Sequence, residues 1–243
     1  MGIFLAGAGP DYDAFPDVFE HFVRALPRPE GTERPARIAL VVHSRNRNPE
    51  EVFADYVRPL QALISCEVVR VLLGAGSPAD PAVFAHADGV VVGGGLTPAY
   101  LEGLRACAGA IAARAADGAP YLGFSAGAMI APARGTMGGY RINSVEVCGE
   151  ECSEDLDEVD VRDGLGLVPF AVDVHAAQAG TLSRAVGAVA AGLVDRAVAV
   201  DETTAIFLSA SSAPDFEVMG NGNCWDIRRT GDGCSVSVRS AGS

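Results

Sequence analysis

Residues 120–128 have the sequence PYLGFSAGA and carry the strongest indication of fold in the chain. The first five residues form a short apolar run, which is typical of a buried strand. The small residues of Ala126–Ala131 predict a helix. A serine between a strand and a helix, with glycine two positions before and after it, is typical of a G-x-S-x-G nucleophile elbow. The turn is sharp and strained, so Gly123 and Gly127 supply the small neighbours that Ser125 needs.

Strand-like apolar runs alternate with segments of helical periodicity on both sides of this stretch. The run Ala87–Val92 ends in three glycines and precedes a helix predicted over Pro98–Ala116, with proline in its first turn. Further strands or helices are predicted over Gly2–Ala6, Phe15–Leu26, Ala36–His43, Pro49–Ile64, Glu67–Leu73, Leu167–Val174, Leu182–Gly192, Ala197–Val200, Ile206–Ser209, Phe216–Met219 and Cys224–Arg228. This alternation predicts the α/β class, with a doubly wound, mostly parallel sheet and helices on both faces. Because no repeat or linker interrupts it, residues 1–243 are predicted to form one domain.

The composition excludes several classes of function. The chain has 243 residues and a formal net charge of -13, and all of its 18 basic residues are Arg. Without Lys it cannot use Schiff-base chemistry, a P-loop lysine or a Ser-Lys dyad. Without a basic stripe it is a poor match for nucleic acid or an anionic membrane. No apolar run is long enough to span a bilayer, so we expect neither nucleic acid nor a membrane as partner.

Cysteine usage predicts a reducing compartment. The six cysteines include no CxxC pair, and Cys148 and Cys152 have no His close enough in sequence to complete a zinc pattern. We interpret them as reduced thiols. The N-terminus lacks a charged leader and predicts a first strand rather than a signal peptide. A cytoplasmic protein is therefore expected.

Residues 135–163 break the alternation of strands and helices. The part from Glu146 to Asp163 is strongly acidic and contains a single Arg. We interpret it as a solvated loop or hairpin. The alternative is an electrostatic wall beside the functional site that attracts a cationic substrate.

Backbone N–H groups near Ser125 are candidate donors to an oxyanion. One is that of Ala126 at the start of the helix, and the other is that of Gly94 or Gly95, after the neighbouring strand. A tight turn and a phosphate cradle are the alternatives for the glycine run, which matches neither the G-x-G-x-x-G nor the P-loop pattern.

A serine nucleophile needs a general base and a carboxylate that orients it. Of the four histidines, His175 and His43 end predicted strands, at the edge where α/β sheets bind ligands. We interpret the other two, His21 and His86, as surface or packing residues. Three carboxylates follow or end strands: Glu202, Asp201 and Asp173, the last on the same strand face as His175. Sequence reasoning alone leaves the choice among the three open.

These pieces, taken in order, resemble the dipeptidase E and cyanophycinase family of serine peptidases. The matching segments are 91–95 (VVGGG), 123–128 (GFSAGA), 164–167 (GLGL), 173–175 (DVH), 201–205 (DETTA) and 220–222 (GNG). The resemblance implies a class I glutamine amidotransferase-like, flavodoxin-like sandwich, with Ser in place of the amidotransferase Cys. The sequence departs from the family pattern at two places. Leu96 stands where a polar residue is usual, and Arg184 is the only Arg of the segment after His175, where the family commonly has several.

The resemblance also implies roles for individual residues. Ser125 would be the nucleophile, His175 the base and, as in the cyanophycinase branch, Glu202 the third member of a triad. No metal or organic cofactor is implied, and a homodimer is expected. The substrates would be small peptides or isopeptides with an acidic, Asp-type residue at the cleaved bond. Candidate substrate contacts are Asp173, Gln178, Thr97 and Arg45.

Two other functions are compatible with the same motifs. An esterase or amidase that acts on a non-peptide metabolite would use the same three side chains. A non-catalytic binding protein could share the scaffold, since a fold does not determine a function.

Overall fold

The computed structural model of the protein describes residues 2–27, 34–44, 47–74, 77–209, 214–231 and 233–242. The strands are β1 (Gly2–Ala6), β2 (Ala36–His43), β3 (Cys66–Leu73), β4 (Gly89–Val92), β5 (Tyr121–Phe124), β6 (Arg134–Gly138), β7 (Arg141–Ile142), β8 (Val145–Glu146), β9 (Asp160–Asp163), β10 (Ala171–Val174), β11 (Arg196–Val200), β12 (Thr204–Ser209), β13 (Glu217–Gly220), β14 (Asn223–Thr230) and β15 (Gly233–Ser240). The α-helices are α1 (Asp17–Ala25), α2 (Pro49–Leu63), α3 (Thr97–Leu104), α4 (Ala108–Ala116), α5 (Ala126–Met129) and α6 (Leu182–Ala190).

The strands form two main sheets. The larger has seven strands in the order β13-β12-β1-β5-β4-β2-β3, in which β1, β5, β4, β2 and β3 run parallel, β12 pairs antiparallel with β1, and β13 pairs antiparallel with β12. The smaller has the order β10-β11-β14-β15, with only β10 and β11 parallel. The predicted α/β class with a mostly parallel sheet is confirmed. The separation into two sheets was not predicted, because short apolar strands of both sheets have the same sequence pattern.

Alternation along the strands builds a core on each face of the large sheet. In β1, Ile3 and Leu5 lie in one core, while Phe4 and Ala6 lie in the other. The core around Phe4 is closed by α1 and α2. The opposite core is closed by α3, α4, α5 and one face of the small sheet, and α6 covers the other face of that sheet. Helices and the small sheet therefore enclose the large sheet on both faces.

Two elements differ from the sequence-based expectation, and a third agrees with it. The helix predicted over Pro98–Ala116 is broken by a 3₁₀ turn at Arg105–Cys107 into α3 and α4, near Gly103 and Gly109, which weaken a helix. Strand β15 was not predicted, because it alternates serine with valine and is mostly exposed. The break at residues 135–163 consists of the antiparallel pairs β6–β9 and β7–β8, which confirms the hairpin interpretation.

The cysteines and helices give two further findings. All six cysteines lie in the described ranges and are free thiols. Among the helices that the structure describes, none is both long enough and apolar enough to cross a membrane.

Candidate active site

The nucleophile elbow predicted at Ser125 is present between β5 and α5. Ser125 has φ 48° and ψ −108°, a strained conformation for a residue with a side chain. Its N–H donates to the carbonyl of Ala6 in β1 over 3.0 Å. A Cβ at Gly123 would lie 2.5 Å from the Gly127 carbonyl oxygen, and one at Gly127 would lie 2.4 Å from that of Val92. The predicted need for small neighbours on both sides is therefore confirmed.

The structure brings Ser125, His175 and Glu202 into one hydrogen-bonded chain. Ser125 Oγ lies 3.0 Å from His175 Nε2, and His175 Nδ1 lies 2.8 Å from Glu202 Oε1. His175 directly follows β10 and has φ 57°, and its N–H donates to the Gly7 carbonyl over 3.0 Å. Glu202 lies in the turn between β11 and β12. The serine is thus carried by the large sheet, while the histidine follows a strand of the small sheet.

The turns that carry His175 and Glu202 are joined by side chains. The Asp201 carboxylate accepts the N–H of Ala177 over 2.9 Å and the N–H of Asn223 over 3.0 Å. Asp201 is therefore committed to the backbone and does not meet His175. The exposed Gln178 accepts the N–H of Glu202 over 3.0 Å. Of the three carboxylates left open by the sequence, the structure places Glu202 against the imidazole.

The glycine run after β4 lies against the serine, but Gly94 does not offer its N–H to it. A Cβ at Gly94 would lie 3.8 Å from Ser125 Oγ. The Gly94 N–H instead donates to Tyr56 Oη over 2.9 Å, and the Gly94 carbonyl accepts from Tyr100 Oη over 3.0 Å. The expectation that Gly94 is an oxyanion donor is wrong, because its peptide is held by these two phenols.

The other two predicted oxyanion donors are the N–H groups of Gly95 and Ala126. Gly95 is exposed, with φ 147°, and Ala126 begins α5 next to Ser125. Within the described ranges, neither N–H donates to a backbone or side-chain acceptor. Both are therefore available to a bound oxygen atom.

Tyr56 and Tyr100 are site residues that sequence reasoning missed. Burial raises the pKa of Tyr56 to about 12, and burial together with the nearby Tyr56 phenol raises the pKa of Tyr100 still further. Both hydroxyls therefore stay protonated at neutral pH. The available signal was weak: a buried tyrosine hydroxyl needs a partner, but its partner is not readable from helix periodicity.

Asp173 does not face the site, contrary to the expectation that it contacts a substrate amine. It is 1% exposed and receives two hydrogen bonds from Arg184, at 2.8 Å from Nε and 2.7 Å from Nη2. Arg184 is 2% exposed and also donates to the Gly139 and Cys152 carbonyls. The positive φ of His175 ends the strand alternation that placed Asp173 beside it. Arg184 is equally unavailable to an acidic substrate.

The other predicted substrate contacts have mixed outcomes. Thr97 is fully buried, with Oγ1 3.6 Å from Met129 Sδ, so the expectation that it contacts substrate is wrong. Its N–H, at the start of α3, donates to Glu154 Oε2 over 3.0 Å, a favourable place for a carboxylate. The acidic segment therefore borders the glycine run. Arg45 lies outside the described residues.

No metal-ligand group accompanies these side chains. In the part of the chain that the structure describes, no three His, Cys, Asp or Glu residues cluster closely enough to hold a metal ion. The other histidine considered as a base, His43, ends β2 and lies edge-on to Tyr100, with ring centroids 6.2 Å apart.

Comparisons with known proteins identify the family and the fold of the chain. Residues 18–214 match the model of peptidase family S51. The fold resembles that of a peptidase from an acI-B1 Actinobacterium (TM-score 0.68, 14% identity, covering 100% of this chain and 95% of that one). It also resembles a Listeria monocytogenes EGD-e protein assigned as a peptidase E (TM-score 0.56, 16% identity, 91% and 98% covered). No curated protein sequence matches significantly. The chain belongs to peptidase family S51, the dipeptidase E family of serine-type peptidases.

Proposed function

We propose that the chain hydrolyses small peptides through a catalytic triad of Ser125, His175 and Glu202. The observation that carries this proposal is the continuous chain of contacts from Ser125 Oγ to His175 (3.0 Å) and from His175 to Glu202 (2.8 Å). These lengths suit direct proton transfer between the serine hydroxyl and the imidazole. The arrangement, with a glutamate from the DETTA segment, is the one that resemblance to the cyanophycinase branch implies.

The proposed reaction is acyl transfer to water in two steps. Ser125 Oγ attacks the peptide carbonyl carbon while its proton passes to His175 Nε2, which then protonates the leaving amine. Water, deprotonated by the same nitrogen, hydrolyses the resulting ester of Ser125 and releases the acid. Glu202 accepts a hydrogen bond from His175 Nδ1–H and stabilises the imidazolium. The N–H groups of Gly95 and Ala126 donate to the oxyanion.

An acidic, Asp-type residue at the cleaved bond is the finer part of the proposal. The family resemblance supports it. Arg184 does not supply the required cation, because it is buried against Asp173. Peptides with Asp or Asn before the cleaved bond therefore belong in every substrate panel.

Labelling with a fluorophosphonate tests the nucleophile directly. We expect intact-protein mass spectrometry to find one adduct on the wild type and none on Ser125→Ala or His175→Ala, since an activated hydroxyl needs its base. His86→Ala, which changes an exposed histidine, is the matched control and should label normally. An adduct that persists in Ser125→Ala would contradict the assignment. A wild type that neither labels nor cleaves any peptide would favour a binding protein on this scaffold.

The tyrosine clamp on Gly94 gives a second prediction. In Tyr56→Phe the Gly94 N–H loses its acceptor, so the glycine run can turn and the Gly95 N–H no longer points reliably at the oxyanion. We expect kcat to fall about 10- to 100-fold with little change in KM, since losing an oxyanion donor outright costs about 10²- to 10³-fold. Affinity for a peptide aldehyde, which forms a tetrahedral adduct, should fall in parallel.

Tyr12→Phe is the control for that substitution, because Tyr12 packs edge-on against Phe19 and, among the described residues, the hydroxyls bonded to Gly94 are those of Tyr56 and Tyr100. An effect confined to KM, or equal losses in both variants, would show that the Tyr56 hydroxyl does not position the donor.

A further inference from the structure

A groove lies along α3, next to the glycine run that approaches Ser125. It encloses about 960 Å³ and begins at Leu96, the residue after Gly95. We propose that this groove binds the apolar residues that precede the cleaved bond of an oligopeptide. The inference rests on the proposed function and adds a substrate class to it, peptides longer than a dipeptide.

One helix face forms the floor of the groove. Ala99 and Gly103, four residues apart on one side of α3, line it, together with Leu96 before the helix and Ala106 in the 3₁₀ turn after it. Pro78 lines it as well. A floor of small and apolar side chains favours uncharged side chains of a substrate over charged ones.

The length of the groove exceeds what a dipeptide fills. Ala106 is ten positions after Leu96. The eight residues of α3 between them span about 12 Å, and the 3₁₀ turn that carries Ala106 adds about 2 Å per residue. An extended peptide advances about 3.3 Å per residue. The groove therefore has room for about four residues in extended conformation.

The strand order determines which part of the substrate enters the groove. Ser125 follows β5, whereas the His175 N–H bonds to Gly7 after β1, on one side of β5. The groove lies on the other side, beyond β4, where His43 ends β2 and Gly74 follows β3. The leaving amine must reach His175 to receive a proton, so the residues that precede the cleaved bond extend toward the groove.

The charged residues at the far end do not select a charged occupant. Glu102 and Arg105 line that end with opposite charges, and both are exposed. Because the two charges are opposite in sign and screened by water, their electrostatic potentials largely cancel at the serine. The apolar floor is therefore the feature that discriminates among substrates.

A series of peptides tests the proposal. The peptides share one cleaved bond and carry one, two, three or four residues before it, with alanine and valine at the added positions. We expect kcat/KM of the wild type to rise about 10- to 100-fold from the shortest to the longest peptide, the range that apolar pocket contacts provide. This measurement needs no variant.

Ala106→Trp fills the far part of the groove, and Ala113→Trp, at an exposed position of α4, is its matched control. We expect Ala106→Trp to remove the gain of the longest peptide and to leave the shortest unchanged, while the control keeps both rates. Equal kcat/KM for all lengths in the wild type would overturn the groove, as would an equal loss on all lengths in Ala106→Trp.

The failure of the groove differs from the failure of the proposed function. If Ser125 reacts with the fluorophosphonate but no peptide of the series is cleaved, the groove proposal is overturned and the nucleophile stands. If the protein neither reacts with the probe nor cleaves any peptide, the proposed function is overturned and the groove proposal with it.

Discussion

Replacing His175 with alanine is expected to lower kcat for peptide hydrolysis by about 10⁴- to 10⁶-fold, and replacing Ser125 with alanine by a similar factor. The physical reason is that the two side chains act as one unit. The hydroxyl is a weak nucleophile until the imidazole 3.0 Å away takes its proton, so losing either side chain removes the same activated nucleophile.

The double variant makes this prediction sharper. If the two residues form one unit, Ser125→Ala/His175→Ala should be no slower than either single variant, because the second substitution removes nothing further. Product release followed by chromatography over long incubations measures the residual rates. Losses that multiply in the double variant would mean that the two residues act independently, which the shared hydrogen bond does not allow.

Glu202→Gln is expected to cost less, between about 10²- and 10⁴-fold, where loss of a fully buried triad aspartate costs about 10⁴-fold. The side chain of Glu202 is 43% exposed, so water can partly replace its oxygen at His175 Nδ1. The same assay of product release gives kcat for the Ser125, His175 and Glu202 variants, with His86→Ala as the control.

Loss of one partner of the buried Asp173–Arg184 pair is expected to give the largest change in stability. Both side chains are 2% exposed and joined by two hydrogen bonds, so either substitution leaves a charge in the interior without its partner. We expect Arg184→Met to lower the free energy of unfolding by about 3–5 kcal/mol. Urea denaturation measures it, as a shift of the midpoint at constant slope.

Two controls separate burial from mere loss of charge. Arg24→Met removes the same charge from an exposed pair with Glu20, where Arg24 is 68% exposed, and should cost at most about 0.5 kcal/mol. A double variant, Asp173→Leu/Arg184→Met, should recover much of the loss, because two apolar side chains leave no unpaired charge. If Arg184→Met costs no more than Arg24→Met, the pair contributes nothing by its burial.

The sequence predicts the elbow at Ser125 well because all of its determinants are local. Strand, serine, helix and the flanking Gly123 and Gly127 lie within a few residues of one another. The choice of Glu202 over Asp201 and Asp173 came from the family resemblance and not from the residue pattern, because positive φ at His175 and Thr203 turns the chain in ways that strand alternation does not describe.

Long-range contacts explain the other errors. The direction of the Gly94 N–H depends on Tyr56, a residue 38 positions earlier in the chain. The burial of Asp173 depends on Arg184 from α6, which the sequence shows only as the single Arg of the segment after His175. In both cases the sequence indicates the residue itself, but the partner that determines its role comes from a different element.

Ser125 follows a strand of the large sheet and His175 follows a strand of the small sheet, so the rate of catalysis depends on the relative position of the two sheets. The sheets meet where Gly7, the residue after β1 of the large sheet, accepts the N–H of His175, the residue after β10 of the small sheet. A shear of 1 Å between them would separate Oγ from Nε2 without exposing any core, and such displacements can cost about 10²-fold in rate. A ligand or substitution that shifts one sheet against the other would thus silence the enzyme while leaving it folded.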